Sequence, residues 1–225
     1  MGPFGPIFLK NKRFLNNQLW GVFILDKSSL LKTIALKGYD VGFGAKKHFA
    51  TFDMSCKLPD LIALITLTIG VIQLGFDLNN KVNKFLSVIL IFMGIVAIFI
   101  NKYRNSKSDY EMAAVKINKI YYKLRELYYK VKETNSSDEK KLEVYEKEYN
   151  QLINDFNETA ITQQLVLSDW YAHYKFFVQL EIKWIEEQRP FRFRDKVPLL
   201  ARYILYLLGL IILIALFCLM LDKIW

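Results

Sequence analysis

Long uncharged runs alternate with amphipathic, heavily charged stretches along the 225 residues of this chain. The first run is Leu61–Phe76 and the second Phe85–Ile100; between Leu61 and Ile100 the only charges are Asp77, Lys81 and Lys84, at or inside the short connection. Each run has 16 residues, about 24 Å as a helix, against a hydrocarbon core of about 30 Å. Either run alone would also suit a buried helix of a soluble protein. Apolar residues on every face, the closeness of the two runs and the polar turn Asn79–Lys84 favour a transmembrane hairpin, which Lys84 and Lys102 would lengthen by snorkelling. A third run, Tyr203–Leu221, has 19 uncharged residues and meets spanning length unaided, with Tyr203 and Trp225 placed as interfacial anchors.

The stretch between the second and third runs has helical periodicity and no strand alternation. Tyr110, Ala113, Ile117, Ile120, Leu124, Leu127 and Val131 form a 3-4 seam over three heptads, flanked by Lys116, Lys119, Lys123, Arg125 and Glu126. Ser108 with Glu111 reads as its opening capping box. Asn135–Asp138 breaks the pattern, Ser136 with Glu139 reads as a second box, and a second seam follows in Leu142, Tyr145, Tyr149, Leu152 and Phe156. The short link predicts an antiparallel helical hairpin. A third helix is expected from Ser168–Asp169 to Arg189-Pro190, with an aromatic stripe of Trp170, Tyr171, Tyr174, Phe177, Leu180, Trp184 and Ile185. That stripe would pack on the other two helices or on lipid headgroups; a ligand pocket or subunit contact is the sharper alternative. Phe191–Lys196 alternates aromatic and basic residues and reads as an interfacial connector.

The expected fold is therefore an all-α membrane protein: a transmembrane helical hairpin, a cytoplasmic antiparallel helical bundle and a third, C-terminal transmembrane helix. The corresponding segments are a cytoplasmic N-terminal and juxtamembrane part, 1–60, the hairpin, 61–100, the helical domain, 101–198, and the last span, 199–225. Charge orients them. Residues 1–60 carry nine basic and four acidic side chains, and 101–198 carry eighteen and sixteen, whereas the hairpin turn has only Lys81 and Lys84. By the positive-inside rule the N-terminus and 101–198 are cytoplasmic and the C-terminus is outside, in a multi-pass protein of the cell inner membrane. The net charge of +9 then reflects orientation and attraction to anionic lipid, not nucleic-acid binding. Cys56 and Cys218 lie far apart, so a disulfide scaffold and paired-cysteine zinc sites are excluded and both thiols are expected to be reduced. The N-terminus lacks the pattern of a cleavable signal.

Catalytic constellations are not found. His48 and His173 have no ligand set around them; Asp169 and His173 could share a helix face, but two ligands make a poor metal site. No serine sits in a nucleophile elbow. Gly38–Lys47 resembles a phosphate loop only superficially, because the glycine-lysine-Ser/Thr ending is missing. Its glycines are better read as a turn before a juxtamembrane helix from about Ala45 to Met54. Lys46, Lys47 and His48 there, with Arg192 and Arg194 in the connector, are candidate lipid or signal contacts. Within the first span, Thr66, Gly70 and Gln73 mark a face that either packs on the second span, with Gln73 bonded across, or lines an oligomeric pore. No enzyme activity, cofactor or metal is expected.

Taken together, the Ala45–Asp53 run before the hairpin, the tight Asn79–Lys84 turn, Tyr110-Glu-Met-Ala-Ala114, the Trp170–Gln188 stretch and the Asp195-Lys196-Val197-Pro198 exit resemble the SLATT family, SMODS- and SLOG-associated two-transmembrane effectors of prokaryotic conflict systems. The resemblance covers roughly residues 30–198, and the third span departs from the two-span plan. It implies a pore-forming membrane effector of antiviral defence that oligomerises, permeabilises or depolarises the inner membrane, and causes cell death or growth arrest by abortive infection. Besides the lipid bilayer and copies of itself, its partners would be a nucleotide second messenger or a signalling protein. A membrane-anchored adaptor recruiting a soluble partner is the alternative.

Overall fold

The structure, a computed structural model, describes residues 26–198 and 201–210. Its first element, α1 (Lys27–Gly75), is a single helix of 49 residues, about 73 Å long. Asp26 caps it, its carboxylate accepting from the Ser29 N–H. The turn expected at Gly38–Gly44 is absent. The glycines sit inside the helix and serve packing: a Cβ on Gly38 would lie 2.1 Å from the Trp184 ring, and one on Gly42 would lie 2.8 Å from Tyr121. Glycine here permits close approach of large aromatic side chains to the α1 backbone.

After α1, the chain turns through Asp77–Asn79 into α2 (Asn80–Arg104), whose N-cap Asn79 accepts from the Lys81 N–H. The two-residue break at Asn105-Ser106 leads directly into α3 (Lys107–Glu133). Ser108 is therefore already inside the helix, Ser106 is the N-cap and makes no side-chain cap bond, and the predicted Ser108–Glu111 box does not form. Next comes α4 (Glu139–Thr159), capped not by Ser136 but by Asp138, which accepts from the Lys141 N–H at 3.3 Å. The aromatic third helix is divided. It forms α5 (Ser168–Gln179), an extended break at Leu180, and the one-turn α6 (Lys183–Glu186), followed by a 3-10 turn at Phe193–Lys196. Residues Ala201–Leu210 form another apolar helix. Most of the expected third span, with Cys218 and Trp225, lies outside the described residues. Among the described residues there is no strand.

The N-terminal part of α1 is the bundle's central helix. Leu30, Ile34, Val41 and Ala45 share one core with Ile117, Tyr121, Leu124, Tyr128 and Val131 of α3, Leu142 and Leu152 of α4, and Phe176 and Trp184 of the C-terminal segment. All seven expected seam positions of α3 are buried. They face mainly α1, with α4 flanking them. On α5 the buried face is Ser168, Ala172, Lys175 and Phe176, whereas Tyr174, expected in the stripe, is 56% exposed. The face is rotated because α5 packs on α1 and not on the α3–α4 hairpin.

Below the core, α1 and α2 leave the bundle as the hairpin. The apolar window of α1 is 0% buried and that of α2 6% buried. This argues against the core helix of a soluble protein, which would be enclosed by protein. Both helices have the length and composition to cross a membrane.

Candidate functional site

The loop between α4 and α5 joins the bundle to the base of the hairpin. Ile161 donates its N–H to His48 Nε2 at 2.9 Å, and His48 Nδ1 donates to the Gly44 carbonyl at 2.7 Å. Both ring nitrogens are thus committed, and the imidazole is held as the neutral tautomer with its proton on Nδ1. Burial, with the charge of Lys47 adding to it, pushes His48 below the ordinary histidine value despite the Gly44 carbonyl. One turn further along α1, the Thr51 hydroxyl donates to Gln164 Oε1 at 2.6 Å, and Gln164 Nε2 donates to the Ile161 carbonyl at 2.7 Å.

Two tyrosines complete the clasp from the other helices. Tyr103, at the end of α2, donates to the Gln164 carbonyl at 3.1 Å; Tyr110, in the first turns of α3, donates to the Gln163 carbonyl at 2.5 Å. Leu165 is buried with Ile62 and Ile100, the residues at which the two spans meet the bundle. The loop ends at Leu167, whose φ of 69° is left-handed, a conformation costing a non-glycine residue roughly 1 kcal/mol and held here by the bonds on either side. One loop of eight residues, 160–167, therefore binds α1, α2 and α3 where they leave for the membrane.

Beside the clasp lies a charged cluster between α1 and α5. Lys175 is 7% exposed and bonds Asp53, which also pairs with Lys57 at 3.3 Å. Lys175 lies 4.5 Å over the Tyr171 ring. Burial alone would raise the Asp53 carboxyl, but the Lys175 hydrogen bond and charge, and then Lys57, hold it below the ordinary carboxylate range. Lys47 pairs with Asp169 at 2.8 Å. Lys46 lies over the Phe49 ring at 5.8 Å, and burial together with the like charge of Lys175 lowers its ammonium from the ordinary lysine value.

The candidate contact residues are thus distributed unevenly. His48 is enclosed and fully bonded, so it faces neither lipid nor solvent. Lys46 and Lys47 flank the cluster, and Arg192 and Arg194 are exposed on the separate 3-10 turn. On the first span, Gln73 bonds across the hairpin, donating to Asn83 Oδ1 at 2.6 Å and to the Ser87 hydroxyl at 3.3 Å. Thr66 is exposed, and nothing approaches within 4 Å of a Cβ built on Gly70. Asp53 and Lys175, 122 residues apart, carry no local motif; the only hint is a lone lysine inside the aromatic run Tyr174–Phe177. Tyr103 and Gln164 carry no sequence signal, and Tyr110 carries one only as the first position of the α3 seam. Among the described residues no group of three metal-ligating side chains converges.

Two apolar helices long enough to cross a membrane are joined by a tight turn, with a bundle closed around the first of them. Residues 25–205 match the description "SMODS and SLOG-associating 2TM effector domain 6". The chain belongs to this SLATT family. The match includes α1 through the 3-10 turn and so takes in hairpin, clasp and bundle together. No curated protein and no solved structure matches the chain. As a SLATT protein it is a membrane effector domain of the kind associated with defence systems.

Proposed function

We propose that this SLATT protein is an effector of a prokaryotic antiviral defence system that oligomerises in the inner membrane and permeabilises or depolarises it, ending in cell death or growth arrest. Its N-terminus and the 101–198 helices lie in the cytoplasm, its C-terminus outside, and it acts without enzymatic chemistry. The observation that carries this reading is the continuity of α1. One helix is both the centre of the bundle and the first span, with Pro59 at the junction of the two parts, so a change in bundle packing reaches residues 61–75 through a continuous chain of helix that has one hinge point. The trigger is a nucleotide second messenger or a signalling partner acting on the bundle.

The family match and the two lipid-exposed helices support a membrane effector. Gln73 supports control within the hairpin, because its cross-span bonds fix how α1 and α2 sit together. Controlled expression in bacteria, followed with a potential-sensitive dye, tests the reading. Loss of potential is expected, and Gln73→Lys or Thr66→Lys is expected to change its extent. Normal potential and dye exclusion under expression and under infection would overturn it. If function instead survives when residues 101–198 are tethered by unrelated spans, the chain is an adaptor.

A further inference from the structure

Two helices of the bundle carry a second face that no described residue covers. Opposite its buried seam, α3 presents Val115, Lys119, Tyr122, Glu126, Tyr129 and Glu133, spaced alternately by four and three residues and all exposed. On α4 the side away from Leu142, Tyr149 and Leu152 repeats that spacing in Lys140, Val144, Lys147, Gln151, Asn154 and Glu158, again all exposed. Val115 is 41% exposed, Tyr122 45%, Tyr129 39% and Val144 60%. These apolar side chains recur at seam spacing and are not scattered singly. Tyr122, Glu126, Tyr129 and Glu133 also line one open groove of about 750 Å³.

The two stripes match each other in height. α3 runs beside the bundle half of α1 through its length, from Lys27, whose ammonium donates to the Thr134 carbonyl, to His48, whose ring lies 6.3 Å from that of Tyr110. Position along α3 is therefore height above the hairpin. After the 134–138 link α4 returns along α3, and Lys123 and Glu126 border one groove with Glu148, Gln151 and Asp155. Counted back from the link at equal rise per residue, Glu133 stands level with Lys140, Tyr129 with Val144, Glu126 with Lys147 and Tyr122 with Gln151.

Copies in one membrane are related by rotation about its normal, which keeps heights equal. The α3 stripe of one copy laid on the α4 stripe of the next then sets acid against base at Glu133–Lys140 and Glu126–Lys147. Between those pairs Tyr129 meets Val144, and Lys119 comes level with Asn154, beside Asp155. The helices also attract as wholes, since α3 carries seven basic and four acidic side chains and α4 three basic and six acidic. Like on like does the reverse: the same rotation would put Lys119 on Lys119, Glu126 on Glu126 or Lys147 on Lys147. The pairs already present within each helix, Lys130–Glu126 at 3.0 Å and Lys147–Glu143 at 2.8 Å, are joined by this contact into one network of alternating sign.

We propose that the outer face of α3 binds the outer face of α4 on a second copy of this chain, head to tail. Because the two stripes lie on different helices, each contact leaves one α3 face and one α4 face free, and successive copies close into a ring about the membrane normal. The proposal rests on the oligomeric reading above and names the surface that makes the oligomer.

Full chains carrying Cys56→Ser and Cys218→Ser are co-expressed, one with Tyr129→Cys and the other with Val144→Cys, and the membranes are oxidised with copper phenanthroline. Cross-linked dimers are expected to be several-fold more abundant than with either variant alone, and both cysteines in one chain are expected to give a ladder of multimers. Glu126→Lys in the Tyr129→Cys copy is expected to cut the yield several-fold, and Lys147→Glu in the Val144→Cys copy to restore it. Equal cross-linking by Tyr129→Cys alone would mean that α3 faces α3 and would overturn the proposal. So would adducts with a different protein, or no adduct under both expression and infection. Membrane potential is recorded in the same cells. Adducts with normal potential uphold the interface and sink the depolarising reading; lost potential without adducts does the opposite.

Discussion

Gly38 and Trp184 meet so closely that a Cβ on Gly38 would stand 2.1 Å from the far edge of the indole. The ring cannot withdraw, because Trp184 is fully buried, its Nε1 donates to the Tyr121 hydroxyl at 3.0 Å, and Tyr128 packs at 5.3 Å between ring centroids. Tyr121 is itself fixed by donating to the Glu181 carbonyl at 2.6 Å. In an open helix, alanine for glycine gains about 0.5–1 kcal/mol. Here the overpacking cost of about 1–3 kcal/mol wins. Gly38→Ala is expected to lower the melting temperature of the detergent-solubilised protein, followed by circular dichroism, and to alter Trp184 fluorescence. Gly70→Ala, with open space around it, is the contrasting substitution and is expected to leave the melting temperature level or raised.

His48 makes the bundle sensitive to acid. Its folded-state affinity for protons is depressed by burial, so in the unfolded chain it binds a proton more readily than in the fold. The stability it contributes is complete above the unfolded value of about 6.5 and is lost as pH falls from there through the lower folded value. Protonation also puts a hydrogen on Nε2, facing the Ile161 N–H it should accept. His173 is depressed in the same direction, by burial first and by Arg202 as well, against the Asp195 carbonyl, and it titrates in the same window. Melting temperature measured from pH 7.5 downwards is expected to fall below pH ~6.5. His48→Gln should flatten part of that slope and His48→Gln with His173→Gln should flatten more of it. An unchanged slope in the double variant would place the acid sensitivity elsewhere.

Lys175 and Asp53 respond unequally to deletion. Removing the carboxylate strands a buried ammonium; removing the ammonium leaves a carboxylate that is still 21% exposed and still paired with Lys57. Breaking a fully buried pair costs about 3–5 kcal/mol, and the partial exposure of Asp53 reduces this to about 2 kcal/mol for Asp53→Ala. Lys175→Met, which keeps the stem against Tyr171, is expected to cost less. Chemical denaturation of the two single variants and the double variant measures the difference, with the double variant expected to be milder than the sum.

The parts of the fold that could be read from the sequence are those carried by repetition. The α3 seam from Tyr110 to Val131 is buried at each expected position, and a tight turn joins the two apolar helices, though it lies at Asp77–Asn79, the expected Asn80–Lys84 stretch being the first turn of α2. Contacts between distant residues left no such trace. Gly38, Gly42 and Gly44 looked like a turn because glycine is ordinarily a breaker; their purpose depends on Trp184, Tyr121 and Phe156 arriving from elsewhere. Ser108 and Ser136 were plausible caps, but the link lengths placed Ser106 and Asp138 at the helix starts. On α5, aromatic residues suggested the buried face, yet Ala172 and Lys175 occupy it because Asp53 meets the lysine there. For the site, a bond from Gln73 across the spans was one of two readings of the Thr66–Gln73 face, beside a pore lining, and the structure contains that bond; the clasp of His48, Tyr103, Tyr110 and Gln164 was not anticipated, since its carbonyl acceptors carry no side-chain signature.

The placement of α1 also fixes an order of assembly. Its bundle half leaves the ribosome first, but its chief partner, α3, is synthesised only after both membrane helices. Until then Leu30, Ile34 and Val41 have no counterpart. Were a single helix of the pair to cross, α3 would emerge on the opposite side and the central helix would stay uncovered. With α1 and α3 in one core, any insertion of the hairpin has to carry both helices, out and back, for the two halves of the bundle to meet on one side.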